Sequence, residues 1–251
     1  MRRSELQDYL NELLDVERIR DYCPNGLQVE GRDEIQTIVT GVTASQALLD
    51  QAVVLQADAV LVHHGYFWKS EPAVIVGMKQ RRIKTLLQAD INLFAYHLPL
   101  DVHSDLGNNA QLAKLFGWGT PQPLHTADPL GVVMGSTLLD PMSSVELAQH
   151  IEQCLQRPLT VRIDCDQPIR RIAWCSGGGQ SYIDHAAAAG FDAFLSGEIS
   201  EQTTHSAREQ GVAYFAAGHH ATERYGIRAL GEHLAQRFGL THHFIDIENP
   251  A

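Results

Sequence analysis

No CxxC pair occurs among the four cysteines of this 251-residue chain, Cys23, Cys154, Cys165 and Cys175. That spacing fits neither a thiolate zinc site nor a disulfide framework, and buried free thiols are expected. Basic residues are also scarce, 19 against 30 acidic ones, which gives a formal charge of −11. A protein that tracks a nucleic-acid backbone needs a basic stripe. The one basic run, Lys79, Arg81, Arg82 and Lys84, reads as a solvated helix face. Long apolar runs are missing too: none approaches the ~20 residues that span a bilayer. The N-terminal MRRSELQDYLNELLDVERI puts Glu5, Asp8 and Glu12 where a signal peptide needs an apolar core. The expectation is a cytoplasmic protein with neither membrane nor nucleic acid as partner.

What the chain does have is histidine, 13 in all, and two doublets of it stand at the ends of apolar runs. The run Ala59-Val60-Leu61-Val62 reads as a buried strand and ends on His63-His64-Gly65. Neighbours in a regular strand point to opposite faces, so the pair can serve one ligand only if the chain is already turning, which Gly65 permits.

The sequence repeats itself. TIVTGVTASQALLDQAVVLQADAVLVHH, residues 37–64, aligns without a gap on RIAWCSGGGQSYIDHAAAAGFDAFLSGE, residues 171–198. Ile38 falls on Ile172, Gln46 on Gln180, Asp50 on Asp184, Ala52 on Ala186, Asp58-Ala59 on Asp192-Ala193, and Leu61 on Leu195. Each copy reads strand, turn, helix, strand, and each is followed by a further helix and strand, RRIKTLLQAD-INLFAYH and TTHSAREQG-VAYFAAGHH. The first copy alone carries the extra GYFWKSEPAVIVG. Alternating strands and helices argue an α/β fold. An internal duplication is expected, with a first domain over 1–122, a second over 123–251, and a C-terminal segment that can pack on the first. Before the first copy, one helix is expected from Ser4 to Ile19, stopped by Pro24-Asn25-Gly26.

In α/β sheets, ligands collect at strand ends. Here those ends carry His63 and His64, then His97 and Asp101 of HLPLD, and in the second copy Glu198 of SGE and His219, His220 and Glu223 of GHHATE. His219 and Glu223 share a face if a helix runs through them, and Asp101 follows His97 by four residues across Pro99. A set of imidazoles and carboxylates suits Zn, Mn, Fe, Ni or Co rather than calcium. Adjacent histidines serve best as ligands to different ions, which favours a dinuclear centre with a carboxylate between the metals. His242-His243 reads as strand alternation, and His103, His125, His150, His185 and His233 as solvated. The Gly-rich turn of CSGGGQ, residues 176–179, follows a strand and could cradle a phosphate. It lacks the Walker lysine, and a tight strand-to-helix turn is the favoured explanation. Asn108-Asn109 either orients a ligand or closes a turn.

The motifs PNGLQVEG, GVTAS, VHHGYFW, HLPLD, LGNNAQLA, CSGGGQ, SGE and GHHATE occur in this order. Together they resemble the family of GTP cyclohydrolase 1 type 2 homologues, also called the NIF-three-like family. The likeness covers essentially the whole chain and is weakest over 119–166. It implies two related three-layer α/β domains, a dinuclear metal site in the cleft between them, and a ring-shaped homohexamer. It implies His63, His64, Asp101, His219 and Glu223 as ligands to two divalent transition-metal ions, with Glu223 bridging. His97 is implied beside the metals, in proton transfer rather than ligation. The expected activity is metal-dependent hydrolysis of a nucleotide-like or other small phosphorylated heterocycle. Ring opening, phosphoester cleavage and amide cleavage all fit that chemistry. A metal-binding or metal-handling scaffold without turnover is the alternative.

Overall fold

The computed structural model describes residues 1–251. Along the chain the strands are β1 (Gly26–Val29), β2 (Thr37–Thr43), β3 (Ala59–His64), β4 (Asn92–Ala95), β5 (Gln122–Pro123) and β6 (Met134–Met142). They continue with β7 (Val161–Ile163), β8 (Ile169–Cys175), β9 (Ala193–Ser196), β10 (Ala213–Ala216) and β11 (Thr241–Phe244). The helices are α1 (Arg3–Leu13), α2 (Gln46–Val54), α3 (Gly77–Ala89), α4 (Leu98–Asp101) and α5 (Asn108–Phe116). After them come α6 (Ser144–Leu155), α7 (Ile183–Ala188), α8 (Glu201–Gln210) and α9 (His219–Phe238). None is long and apolar enough to cross a membrane.

Two compact units emerge, residues 1–106 with 226–248, and residues 107–225 with 249–251. In the first, the sheet runs β1-β4-β3-β2-β11, parallel except for the antiparallel edge strand β1. Strand alternation sorts its side chains cleanly. Ile38, Ala59, Leu61 and Phe94 pack with Leu6 and Leu10 of α1 and with Ile227, Leu230 and Leu234 of α9. Val39, Val60, Val62 and Leu93 pack with Leu48 and Leu49 of α2 and with Ile83 and Leu86 of α3. A sheet covered on both faces needs strands apolar on both sides, which accounts for runs such as AVLV.

In the second unit the order is β5-β6-β8-β9-β10-β7, with β8, β9 and β10 parallel to one another. Helices α5 and α6 cover one face through Leu112, Phe116, Leu147 and Ile151, against Ile172, Trp174, Leu195 and Phe215. Helices α7 and α8 lie along β9 and β10. Helix α5, expected with the first domain, belongs here because Leu112, Ala113 and Phe116 enter this unit's core. The N-terminal helix stops at Leu13 instead of continuing to Ile19. Asp15 takes a left-handed φ of 50° and starts a separate 3₁₀ turn at Val16–Arg18.

The aligned segments share their hydrogen bonds. One carboxylate oxygen of Asp58 accepts the N–H groups of Gln36 and Thr37, and one of Asp192 accepts those of Arg170 and Arg171, all at 2.8 Å. The register matches as well: Ile38 pairs with Ala59, and Ile172 with Ala193.

Candidate metal centre

Strand β3 delivers the first histidines. His63 is fully buried, and its Nδ1 lies 3.0 Å from the carbonyl of Tyr96. A carbonyl only accepts, so Nδ1 carries the proton and Nε2 is the presented nitrogen. His64 ends the strand, with Nδ1 at 3.2 Å from the Thr43 hydroxyl. The two rings lie 4.6 Å apart, centroid to centroid, although both residues belong to β3. Gly65 is required, since a Cβ there would sit 2.2 Å from Oε1 of Gln28.

Strand β4 delivers His97, which stands at the N-terminus of the single-turn helix α4 with Pro99 in its first turn. Proline is tolerated there because its missing N–H has no intrahelical partner. The turn sets Asp101 one helical turn after His97, and Asp101 Oδ2 lies 3.6 Å from His63 Nε2. Nitrogens of His63, His64 and His97 lie within 4.8 Å of one another.

In the second unit, α9 begins at His219, so His219 and Glu223 share a face, with Nε2 and Oε2 3.2 Å apart. The other ring nitrogen, Nδ1, lies 2.7 Å from Glu198 Oε1. Burial alone would lower the pKa of His219, but hydrogen bonds and charge from Glu223 and Glu198 outweigh it and raise it to about 9. Glu198 thus orients His219 as carboxylates orient metal-binding histidines. Glu223 is 3% exposed.

The Gly-rich turn packs directly against this pair. Gly177 has φ +60°, and a Cβ on it would lie 2.1 Å from Glu223 Oε1 and 3.0 Å from His219 Nε2. Its N–H donates to Thr222 Oγ1, and the N–H of Ser176 donates to Asn109 Oδ1. Asn109 also donates to the Val132 carbonyl and accepts the Trp174 indole N–H at its own carbonyl. The N–H groups of Ser176 and Gly177 are thus engaged inside the unit, and Asn109 is a clamp there.

Two other expectations shift. His150 and His233 are half-buried and partnered, by the Phe116 carbonyl and the Tyr9 hydroxyl, rather than solvated. Asp21 and Asn25 were missed, yet Asp21 Oδ1 lies 2.8 Å from His97 Nδ1 and Asn25 Oδ1 accepts the His97 N–H. Burial would raise the pKa of Asp21, but its hydrogen bonds, foremost that with His97, bring it down to about 2. The Pro24-Asn25-Gly26 turn was the only local signal.

In each unit the donors are nitrogen and oxygen, with imidazoles fixed at the opposite nitrogen and one carboxylate nearly buried, Asp101 in the first and Glu223 in the second. Buried carboxylates are tolerable only beside positive charge or hydrogen-bond donors. These residues therefore fit a borderline divalent transition metal.

A model of the Duf34/NIF3 (NGG1p interacting factor 3) family matches residues 1–250. The chain belongs to the Duf34/NIF3 family. It is 59% identical over 249 residues to a GTP cyclohydrolase 1 type 2 homolog of Pseudomonas aeruginosa, covering 99% of this chain and 98% of that one. It is 57% identical to the homolog of the same name from Escherichia coli K12, over all of both chains. The solved structure of protein ybgI, described as of unknown function, superposes with a TM-score of 0.94 at 56% identity over all of both chains. TTHA1606 from Thermus thermophilus gives 0.90 at 32%, again over all of both chains.

Proposed function

We propose that the two donor sets act as one dinuclear centre and that the protein is a metal-dependent hydrolase. His63, His64 and Asp101 from one unit, and His219 and Glu223 from the other, would hold two divalent transition-metal ions, with Glu223 shared by both. What supports this reading most is that His63 and His219 each have one ring nitrogen pinned by a carbonyl or carboxylate and the other turned to a carboxylate of the set. Histidines that only pack do not need that arrangement. When bound, two ions lower the pKa of a water toward neutrality and polarise the bond under attack. Five protein donors leave coordination positions open for that water. The matched bonds of Asp58 and Asp192 support descent from a duplicated unit, each copy having kept its strand-end donors.

Hydrolysis of a heterocycle such as a purine nucleotide is taken from the name of the relatives. Trp68, 6.0 Å from His64 and 4.9 Å from His97 between ring centroids, would give a flat base a wall. A ring-shaped homohexamer belongs to the same reading. Elemental analysis of protein purified without tag or chelator tests the centre. Two transition-metal ions per chain are expected, both lost in Glu223→Ala, and one each in His63→Ala and His64→Ala. Equal metal in Glu223→Ala and wild type would sink the bridge. A hydrolase screen with the metal found then separates enzyme from scaffold, since a scaffold would hold metal and turn over nothing.

A further inference from the structure

His97 sits in a socket built around Asp21 and Asn25. Asp21, whose side chain is 2% exposed, receives four donors. Oδ1 faces the Tyr22 N–H at 2.6 Å and His97 Nδ1 at 2.8 Å. Oδ2 accepts the Leu98 N–H and the Asn25 amide, both at 2.9 Å. Asn25 returns the favour through Oδ1, which accepts the His97 backbone N–H at 2.7 Å. Trp68 meets the imidazole edge-to-face, and the rings of His63 and His64 lie 5.0 and 5.7 Å away. The ring of His97 is therefore held on every side that these residues reach.

An ionised carboxylate has no proton to give, so a histidine bonded to it through Nδ1 carries its proton there and leaves a lone pair on Nε2. We propose that Asp21 is a positioning residue that fixes His97 as the Nδ1–H tautomer, so that Nε2 is the nitrogen that exchanges protons beside His63 and His64. In the hydrolytic reaction, on which this consequence rests, Nε2 accepts a proton from water and leaves hydroxide. It then returns that proton to the leaving group. Asp21 stays ionised throughout and balances the imidazolium.

Asparagine at position 21 should reverse the tautomer. With its oxygen toward Leu98 and Asn25 it keeps both of those donors, and its NH₂ then faces Tyr22 and His97. The Tyr22 N–H loses its acceptor, but His97 can adapt by accepting at Nδ1 and moving its proton to Nε2. The opposite orientation abandons two donors that cannot adapt.

The test is long-range ¹H–¹⁵N correlation on histidine-labelled, metal-free full-length protein, at a pH where imidazoles are neutral. His97 is assigned by the signal missing in His97→Gln. Wild type should show a protonated Nδ1 and a pyridine-like Nε2, and Asp21→Asn the reverse, with zinc uptake retained. Wild-type His97 in the Nε2–H form would overturn the proposal even if the variant failed to fold. So would an unchanged Nδ1–H form in folded Asp21→Asn, or loss of zinc from that variant, which would make Asp21 a support of the metal centre. Failure of the hydrolase reading would leave these spectra as expected and would appear only in the substrate screen.

Discussion

Glu198 is half-exposed, yet it holds a ring nitrogen of His219 at 2.7 Å. Glu198→Gln keeps the shape and removes the charge, and metal affinity should fall about 10–100-fold, read by competition with a chromophoric chelator. Gly177→Ala should act more harshly. It places a Cβ on the Glu223 carboxylate from a left-handed backbone, so metal content should drop along with a stability loss of about 1–3 kcal/mol. His97→Ala should keep its metal and lose turnover. The side chains that were visible as motifs stand at strand ends, where an apolar run gives way abruptly to polar residues. Asp21 was not visible because it meets His97 across 76 residues, on an aperiodic stretch whose path only the folded chain defines. Glu198 showed as a strand-end residue, but its tie to His219 depends on where two separate strands finish.

Among the elements, helix α9 comes unusually close to its sheet at Gly231, where a Cβ would lie 2.2 Å from His242 Nε2 and 2.7 Å from Thr40 Cγ2. Gly231→Ala should cost about 1–3 kcal/mol by overpacking, measured by urea unfolding. His242 itself bonds to the Thr40 hydroxyl, and burial lowers its pKa below the ordinary 6.5. A folded-state pKa below the unfolded one means that the stabilisation is complete above 6.5 and is lost as pH falls through the depressed value. The stability of wild type should therefore decline, as pH falls below 6.5, more steeply than that of His242→Gln. The strands were legible because a doubly covered sheet writes continuous apolar runs. Helix α5 was legible as a helix but not as part of the second unit. Its apolar stripe says that it buries one face and not which sheet receives it. The end of α1 hinged on one left-handed aspartate, which no periodicity marks.

At the scale of the molecule, seven identities pair residues 37–64 with residues 171–198, and the structure adds that an aspartate at the same aligned position accepts two backbone N–H groups in each segment. Asp58→Ala and Asp192→Ala each strip the acceptor from two backbone N–H groups, and each should cost about 2 kcal/mol or more. Asp58 should be the costlier, since it also pairs with Arg32 at 2.9 Å, and thermal melts of the two variants would rank them. What no alignment of the copies could show is how the chain divides. The first unit borrows its last strand, β11, and the apolar face of α9 from residues 226–248.

That borrowing has a consequence during synthesis. Residues 1–106 on their own present a sheet whose β2 edge still awaits Thr241–Phe244. One apolar face also still lacks Ile227, Leu230 and Leu234. The usual order, N-terminal domain first, is thereby reversed. The second unit, apart from its last three residues, is in hand by residue 225, while the first waits with an open strand edge of the kind that pairs with other chains. A released chain truncated before β11 should be protease-sensitive in its N-terminal half and protected over 107–225, and it should be a preferred client of chaperones that bind extended apolar segments.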